Sequence, residues 1–232
     1  MSDDVPATNR LNKHLALELG VSRREADNLI DAGRVKIGET TATLGARFYD
    51  TDAIFVDGKL IGNTTAFEYV AFNKPVNYVC SRRRQGDSPT IYDILPKEFH
   101  KLKPVGRLDR NSSGLILLTN DGDFAYRMTH PKFIKAKIYE CEVDPRLEPL
   151  HRQMISDYGV TLEDGPSKLS LERMIEGNDK KWRVTMSEGR NRQIRRTFGS
   201  LGYDVVTLHR TNFGNYSLGD MKSGEYKIVD MR

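Results

Sequence analysis

Apolar residues recur at helical spacing close to the start of the chain. Leu11, Leu15 and Leu19 are four residues apart, which places them on one face of a helix. Gly20 follows directly, and glycine commonly ends a helix. The pattern therefore predicts a short first helix that ends before Gly20.

The stretch SRREADNLIDAGRV predicts a second helix. Ser22 is a favourable N-cap, and Glu25 three residues later completes a capping box. Gly33 stands where a glycine closes a helix at its C-terminal end. The helix is thus bounded by sequence signals at both ends.

Strand patterns follow these two helices. Residues 35–37 alternate apolar and polar positions, which is typical of a half-buried strand. Residues 54–61, IFVDGKLI, predict a hairpin, because Asp57 and Gly58 suit a tight turn with two positive φ angles. Two helices and a few short strands make a small domain, which we place at residues 10–62.

The rest of the chain mixes strand and helix patterns. We interpret residues 1–9 as a disordered or extended N-terminus, residues 63–67 as a linker and residues 68–232 as a second domain. Strands are expected at 69–75, 115–119, 138–143, 182–187 and 203–210. Helices are expected at 123–129, 147–158 and 191–200, the second on Leu147, Leu150, Met154 and Tyr158. Strands and helices do not alternate regularly, which favours an α+β fold with a mostly antiparallel, mixed sheet flanked by helices.

Composition narrows the class of protein. Hydrophobic residues make up 38% and charged residues 29% of the 232, as in globular proteins, and no apolar run approaches membrane-spanning length. The opening MSDDVPATNR lacks the apolar stretch of a secretory signal. Cys80 and Cys141 share no metal-ligand spacing with the histidines. We therefore expect a cytoplasmic protein.

The net charge of +4 is unevenly distributed. Residues 10–62 contain eight basic and eight acidic residues, whereas residues 63–232 contain 28 basic and 22 acidic residues. The basic excess therefore belongs to the larger domain. A polyanion such as nucleic acid is a reasonable partner, although surfaces without such a role are often equally basic.

The stretch VGRLDRNSSGLILLTNDG (105–122) sets a charged loop against an aliphatic strand. Arg107 and Arg110 flank Asp109, and nearby positive charge favours the carboxylate form of an acid. The strand that follows is a rigid base on which a catalytic carboxylate could be presented. The spacing alone favours the simpler alternative of a loop residue in a surface ion pair.

The stretch EGRNRQIRRTFGSLGY places four arginines within seven residues. A helix over 191–200 would bury Ile194, Phe198 and Leu201 and crowd the arginines on one side. Glu188 is the one acid close in sequence, so we favour an anion-binding role over a solvated helix face. Asn191 and Gln193 add groups that could read base edges. The arginines are Arg190, Arg192, Arg195 and Arg196.

Two weaker patterns also fit RNA. In KAKIYECEV, Tyr139 follows Lys135 and Lys137 on a strand, where its ring could stack on an unpaired base or simply pack in the core. Five basic residues of the small domain could form a phosphate-binding face or only a solvated surface. They are Arg10, Lys13, Arg23, Arg24 and Arg34.

Other chemistries lack their sequence motifs. The chain has no Walker-type glycine loop, no dinucleotide fingerprint after a strand and no nucleophile elbow. The five histidines are scattered without ligand spacing. Chemistry that needs neither metal nor cofactor is therefore expected.

Taken together, these motifs resemble those of the RsuA-type ribosomal RNA pseudouridine synthases. GRLDRNSSGLILLTNDG resembles the family's catalytic loop, KIY its tyrosine strand and EGRNRQIRR its basic motif, and FNKP and VVTLHR fall in the expected order. The resemblance covers about residues 68–228. Residues 10–62 resemble the RNA-binding module named after ribosomal protein S-four. Where the family usually has glycine two residues after Lys74-Pro75, this chain has Asn77, which tolerates a left-handed backbone.

The resemblance implies a set of site residues. Asp109 would be the catalytic aspartate, Arg195 the basic residue that pairs with it, and Tyr139 the aromatic that stacks on the target base. Arg107 would hold a phosphate or help to flip the uridine. The substrate-binding residues would be Arg107, Lys74, Asn191, Arg192, Gln193 and Arg196. The reaction would need no cofactor, because the flipped base detaches, rotates and reattaches within one pocket.

The resemblance also implies a partner and leaves alternatives open. The partner would be ribosomal RNA, free or within an assembly intermediate, and the protein a monomer. VTLEDGP and NRQIRR resemble the large-subunit branch more closely. One alternative is a non-catalytic RNA-binding or ribosome-assembly protein with the same fold. A nucleoside hydrolase or glycosidase is disfavoured, because no second carboxylate accompanies Asp109.

Overall fold

A computed structural model describes residues 8–62, 65–82, 84 and 86–231. The chain divides into two compact units, Met1–Phe67 and Glu68–Arg232. Most of the N-terminus expected to be disordered or extended, and residues 63 and 64 of the expected linker, lie outside the described residues.

The smaller unit packs two helices against short strands. The helices are α1 (Leu11–Glu18) and α2 (Arg23–Asp31). The strands are β1 (Asn9–Arg10), β2 (Val35–Ile37), β3 (Thr40–Thr41), β4 (Arg47–Phe48), β5 (Ile54–Val56) and β6 (Lys59–Ile61). A four-stranded antiparallel sheet runs in the order β3-β2-β5-β6. Its core joins both helices to the sheet through Leu15, Ile30 and Ile54.

Local signals of the smaller unit are confirmed. The Ser22 hydroxyl accepts a hydrogen bond from the Glu25 amide at 3.2 Å, and the Glu25 carboxylate accepts one from the Ser22 amide at 2.6 Å. Asp57 and Gly58 have φ angles of 51° and 76°, as a two-residue hairpin turn between β5 and β6 requires. These features depend on neighbours in sequence, which explains why the sequence predicted them.

The larger unit is built on a mixed sheet flanked by helices. Its strands are β7 (Tyr69–Lys74), β8 (Lys103–Val105), β9 (Ser113–Thr119), β10 (Lys137–Asp144), β11 (Val160–Leu162), β12 (Gly165–Ser167), β13 (Ser170–Arg173), β14 (Lys181–Met186), β15 (Asp204–Phe213), β16 (Tyr216–Ser217) and β17 (Tyr226–Ile228). Its helices are α3 (Gly122–Thr129), α4 (Pro149–Gln153) and α5 (Gln193–Gly199), with 3-10 turns at Ile91–Asp93, Lys97–Lys101 and Pro131–Phe133 and a π-helical turn at Met154–Tyr158.

The main sheet of the larger unit runs in the order β13-β14-β10-β15-β9-β7-β17. The pairs are antiparallel apart from β9 with β15, which run parallel. The predicted α+β class with a mostly antiparallel, mixed sheet is therefore confirmed. β9 is buried on both faces, because Ile116 and Leu118 face one core cluster and Leu115 and Leu117 the other.

The helix predicted over 147–158 differs in the structure. It begins at Pro149 and widens into the π-helical turn, which shifts the period of its buried face. Ile155 is completely buried, whereas Leu150 and Tyr158 are exposed. The predicted apolar stripe was therefore wrong at two of its four positions, Leu150 and Tyr158.

The parallel contact between β9 and β15 is unusually close. Ser113 pairs with His209, and Gly114 pairs with Arg210. A Cβ atom at Gly114 would lie 2.2 Å from the Arg210 carbonyl oxygen, and the φ angle of Gly114 is +103°. Only glycine fits such an approach. This contact holds the start of β9, and with it the preceding loop, against β15.

Candidate active site

A cavity of about 280 Å³ opens where the β9 loop meets β10, β15 and the start of α5. Asp109 of the loop, Tyr139 of β10, Arg192 before α5 and Arg210 of β15 all line it. The four side chains come from segments far apart in sequence. The fold therefore places one carboxylate, one phenol and two guanidinium groups around a single cavity.

The ammonium group of Lys74 holds the Asp109 loop in place. Its side chain is completely buried, and its ammonium group donates to the carbonyls of Pro75 at 2.8 Å and Ser112 at 2.7 Å. Burial lowers the pKa of Lys74 to about 8, and the nearby Cys80 and Asp109 only partly oppose this. The predicted substrate-binding role of Lys74 is corrected here, because its amine is committed to the loop backbone.

Asn77, in the turn that follows β7, supports the same loop. Its φ angle is 72°, and its amide donates to the Arg110 carbonyl at 2.6 Å. The expectation that asparagine can take the left-handed conformation at this turn is confirmed. The turn between Pro75 and Asn77 therefore links β7 to the residue after Asp109.

The side chain of Arg195 also holds the loop, by donating hydrogen bonds to it. The guanidinium donates to the carbonyls of Asn111 at 2.9 Å and Val205 at 2.6 Å, and to the Ser112 hydroxyl at 3.4 Å. Burial lowers the pKa of Arg195, the charge of Arg192 lowers it further, and the charge of Asp109 opposes both. The charges of Arg195 and Asp109 therefore interact, while the N–H groups of Arg195 bind the loop.

Asp109 forms its ion pair with Arg192, whereas the sequence predicted a direct pair with Arg195. In the described part of the chain, the carboxylate of Asp109 has its ion-pair partner in Arg192, 3.8 Å away. Arg192 has a left-handed φ of 48° as the residue before α5. The difference arises because carbonyl oxygens of the loop and of β15 already occupy the donors of Arg195.

The other two arginines of this segment, Arg190 and Arg196, are neutralised by a carboxylate on a hairpin that is distant in sequence. Asp164, between β11 and β12, accepts two hydrogen bonds from Arg196, at 2.7 and 2.9 Å, and one from Arg190 at 2.8 Å. The hydrogen bond from Arg196 is the main reason that the pKa of Asp164 is lowered. The expectation that only Glu188 could balance the arginines was wrong, and Arg196 is paired with Asp164 in the structure.

Gln193 is likewise committed to the protein. Its amide nitrogen donates to the Ser167 hydroxyl at 3.0 Å and to the Glu188 carboxylate, while its amide oxygen accepts from the Arg190 backbone. Gln193 is buried, so its predicted role in reading bases is corrected to a structural one. Asn191 lines the cavity and is exposed.

Arg210 lies at the cavity wall and was not predicted as a site residue from the sequence. Its Nε donates to the Leu115 carbonyl at 2.7 Å, and its Nη1 approaches the Tyr139 hydroxyl at 3.5 Å. Its guanidinium lies 4.8 Å from the ring centre of Phe213. Arg210 is 2% exposed. Its position two residues after Leu208 on an alternating strand was the signal that it points inward.

The cavity is rich in positive charge. Arg107 is exposed at its edge, and Lys137 lines it with a half-buried ammonium group. Burial lowers the pKa of Lys137, Arg210 lowers it further, and Glu188 opposes both. Lys137 lies 5.3 Å from the ring centre of Phe213. Apart from the Asp109 carboxylate, the charged groups that line the cavity are cationic, which suits an anionic ligand.

The basic residues predicted for the smaller unit fall into two groups. Arg10, Arg23 and Arg24 are exposed, and Lys13 is half-buried. Arg34 instead makes two hydrogen bonds to the Asp57 carboxylate, at 2.5 and 2.8 Å. Arg34 is thus already paired, which argues against the phosphate-binding role predicted for it.

The described residues contain no group of three or more His, Cys, Asp or Glu side chains that could hold a metal ion. None of the helices described is long and apolar enough to cross a membrane.

Comparison with known proteins gives consistent matches. The model of the family described as RNA pseudouridylate synthase matches residues 68–200. The ribosomal large subunit pseudouridine synthase B of Pseudomonas aeruginosa is 38% identical over 98% of this chain, which spans 61% of that protein. An RNA pseudouridine synthase of Aquifex aeolicus is 35% identical over 95% of this chain and 90% of its own length. A crystal structure of a pseudouridylate synthase superposes with a TM-score of 0.68 at 32% identity, over 95% of this chain and 96% of that one.

Proposed function

Because the chain belongs to the RNA pseudouridylate synthase family, we propose that it converts a uridine of large-subunit ribosomal RNA into pseudouridine, with Asp109 as the catalytic carboxylate. The observation that carries the proposal is the single cavity that joins Asp109, Tyr139, Arg192 and Arg210. The large-subunit substrate is supported by the name of the Pseudomonas relative.

The reaction is an isomerisation and needs no external reagent. The bond between N1 of uracil and C1′ of ribose breaks, the base rotates, and a bond forms between C5 and C1′. The proton lost from C5 balances the proton gained at N1. The Asp109 carboxylate can assist cleavage in two ways, by attacking C1′ or by removing the proton from C2′. Both need the carboxylate to lie beside the ribose.

The surroundings of Asp109 suit a flipped nucleotide. A base must leave its stack to reach such a pocket, and enzymes of this kind hold it between aromatic and apolar side chains. We assign this contact to the ring of Tyr139, whose hydroxyl is close to Arg210. Arg107 and Arg192 line the cavity and are exposed, so they would bind the phosphates on either side of the uridine.

We assign the smaller unit to RNA binding, as an S-four-like module. Arg10, Arg23 and Arg24 are exposed and would contact phosphates without reading sequence. The pairing of Arg34 with Asp57 leaves it out of this set. The substrate-binding set of the larger unit reduces to Arg107, Asn191 and Arg192 on the same reasoning.

The test is the Asp109→Asn variant on ribosomal RNA from cells that lack the protein. Carbodiimide labelling and primer extension report each pseudouridine formed. We expect the wild type to restore one missing site and Asp109→Asn to lose at least about 1,000-fold in rate while still binding RNA. Asp157→Asn, an exposed acid away from the cavity, is the matched control.

Three outcomes would overturn the proposal. If the wild type bound the RNA but restored no site, the protein would be a ribosome-assembly factor with this fold. If free uracil appeared in the reaction, it would be a hydrolase of the glycosidic bond. Retention of activity in Asp109→Asn would remove Asp109 from the mechanism.

A further inference from the structure

An exposed segment bulges from the rim of the cavity just before the strand that carries Tyr139. Thr129 and Lys137 both line the cavity, so the residues between them are tethered to it at both ends. The chain makes one 3-10 turn here, Pro131–Phe133, directly after α3. We call His130, Lys132, Phe133 and Ile134 of this segment, together with Tyr126 of α3, the rim cluster.

The rim cluster is a group of rings with a lysine between them. The ring centres of Tyr126 and His130 are 4.7 Å apart, and those of Tyr126 and Phe133 are 5.7 Å apart. The ammonium group of Lys132 lies 5.3 Å from the centre of Tyr126 and 4.8 Å from that of Phe133. Such cation–π contacts orient a lysine beside aromatic surface.

Much of this apolar surface faces solvent. Tyr126 is 46% exposed and Ile134 is 71% exposed. Burial in the core therefore does not explain the presence of either large side chain. Aromatic and aliphatic groups beside a cation form the kind of surface on which unpaired bases stack, because a base has apolar faces and a charged backbone.

Ile134 is held in a strained conformation. Its φ and ψ angles of 44° and 64° lie in the left-handed region, which β-branched residues avoid. Glycine or asparagine would fit there at lower cost. Strain of this kind concentrates at ligand-binding segments. Because the side chain is largely exposed, core packing does not account for isoleucine at this position.

The segment is also basic throughout. Residues 126–137 contain Arg127, Lys132, Lys135 and Lys137 and no acidic residue. The positive charge of the cavity therefore continues along the rim, which favours the phosphate backbone of the RNA that enters the cavity.

We propose that the rim cluster binds an unpaired nucleotide next to the target uridine, with the base against Tyr126 and Ile134 and a phosphate at Lys132. The inference rests on the proposed function, since it places the neighbour of the flipped nucleotide. It makes the rim cluster a specificity determinant for the RNA flanking the uridine, separate from the groups that perform the chemistry.

Ile134→Asn separates binding from folding. Asparagine tolerates the left-handed backbone, so the variant should unfold at the same temperature as the wild type or a higher one. The proposal expects its KM for the RNA to rise about tenfold, with kcat changed less than twofold. The Tyr126→Ala and Lys132→Ala variants should raise KM as well. Tyr158→Ala removes an even more exposed aromatic from the π-helical turn, outside the cavity lining, and serves as the control.

A second measurement tests contact with a base directly. Synthetic hairpins around the mapped uridine would carry one abasic nucleotide at each flanking position in turn. At one position, the abasic change should weaken binding to the wild type about tenfold and leave binding to Tyr126→Ala unchanged, because both remove the same contact.

The outcomes are distinguishable from failure of the proposed function. If the wild type modified no uridine, the proposed function would fail before the variants were compared. If the wild type were active and the rim variants kept its KM, the rim cluster would have no part in RNA recognition. Equal losses for abasic RNA in the wild type and Tyr126→Ala would also overturn the inference.

Discussion

The two sides of the cavity carry opposite charges and are held in different ways. The Asp109 loop is fixed from beneath, by Lys74 and Arg195 bound to its carbonyls and by the β9–β15 contact at Gly114. The arginine segment at the start of α5 is fixed by its own side chains, of which Arg190 and Arg196 pair with Asp164 on a hairpin.

This difference separates the role of the Asp109 carboxylate from that of the arginines. The groups that hold the loop leave the Asp109 carboxylate half-exposed in the cavity. Most of the arginines in the other segment bind groups of the protein and so stabilise the fold. Among the residues described, Arg192 is the one that lies within ion-pair distance of the Asp109 carboxylate. A cluster of like charges in a sequence can therefore be mostly scaffold, whereas a single acid can be the reacting group.

Gly114→Ala should have the largest effect, because it attacks the base of the Asp109 loop. The added Cβ would meet the backbone of Arg210, which cannot move without breaking the strand pair. We expect a loss of about 4 kcal/mol or more in the free energy of unfolding, measured by urea denaturation. Gly199→Ala is the control, since open space surrounds that glycine. Equal stability of the two variants would contradict the tight contact.

Lys74→Met removes the buried support of the same loop. The carbonyls of Pro75 and Ser112 would lose their donor, so we expect a loss of about 2 kcal/mol in the free energy of unfolding. The pH dependence identifies the cause. Between the folded pKa of about 8 and the ordinary value of 10.5, the unfolded chain binds more protons, so the wild type should gain stability relative to Lys74→Met as pH rises.

Thermal unfolding of both proteins from pH 7 to 10.5 checks this sign. The gap between wild type and variant should widen above pH 8 and be constant below it, where Lys74 is protonated in both states. Parallel curves over the whole range would show that Lys74 titrates normally.

Arg192 and Arg196 test the other side of the cavity. Arg192→Gln removes the cation beside Asp109 and should lower kcat/KM about fivefold. Arg196→Gln breaks an exposed pair with Asp164 and should leave kcat/KM within twofold of the wild type. Steady-state rates on the same RNA would show the difference. A greater loss in Arg196→Gln would mean that the sequence-based assignment of Arg196 to substrate was right.

The smallest effect is expected in the smaller unit. Replacing Arg23 and Arg24 with Ala should weaken RNA binding and flatten the plot of log Kd against log salt by about one to two units of slope. Arg34→Ala should leave the slope unchanged, because Asp57 already neutralises Arg34. Equal slopes for all three proteins would exclude the exposed arginines from phosphate contact.

Sequence alone predicted the features that depend on near neighbours. The capping box at Ser22, the turn at Asp57-Gly58 and the left-handed Asn77 each follow from a few adjacent residues. The aliphatic run after Asp109 predicted β9, because four consecutive apolar residues read as a buried strand. The family resemblance also indicated a catalytic fold that the comparisons support.

What the sequence could not supply were contacts between distant segments. The capture of Arg190 and Arg196 by Asp164 depends on the β11–β12 hairpin, about thirty residues away. The burial of Lys74 beneath the loop, where its ammonium group binds backbone carbonyls, depends on the pairing of β7 with β9. Arg210 was overlooked because a single arginine within a strand has no charge cluster to mark it.

The hydrogen bond from Arg210 to the Leu115 carbonyl joins positions 95 residues apart. During translation, the Asp109 loop leaves the exit tunnel well before β15 does, so a nascent chain carries its carboxylate without the wall that completes the pocket. Pairings of such long range form late in folding. A chain that has been synthesised only as far as α5 therefore lacks the Arg210 side of the cavity.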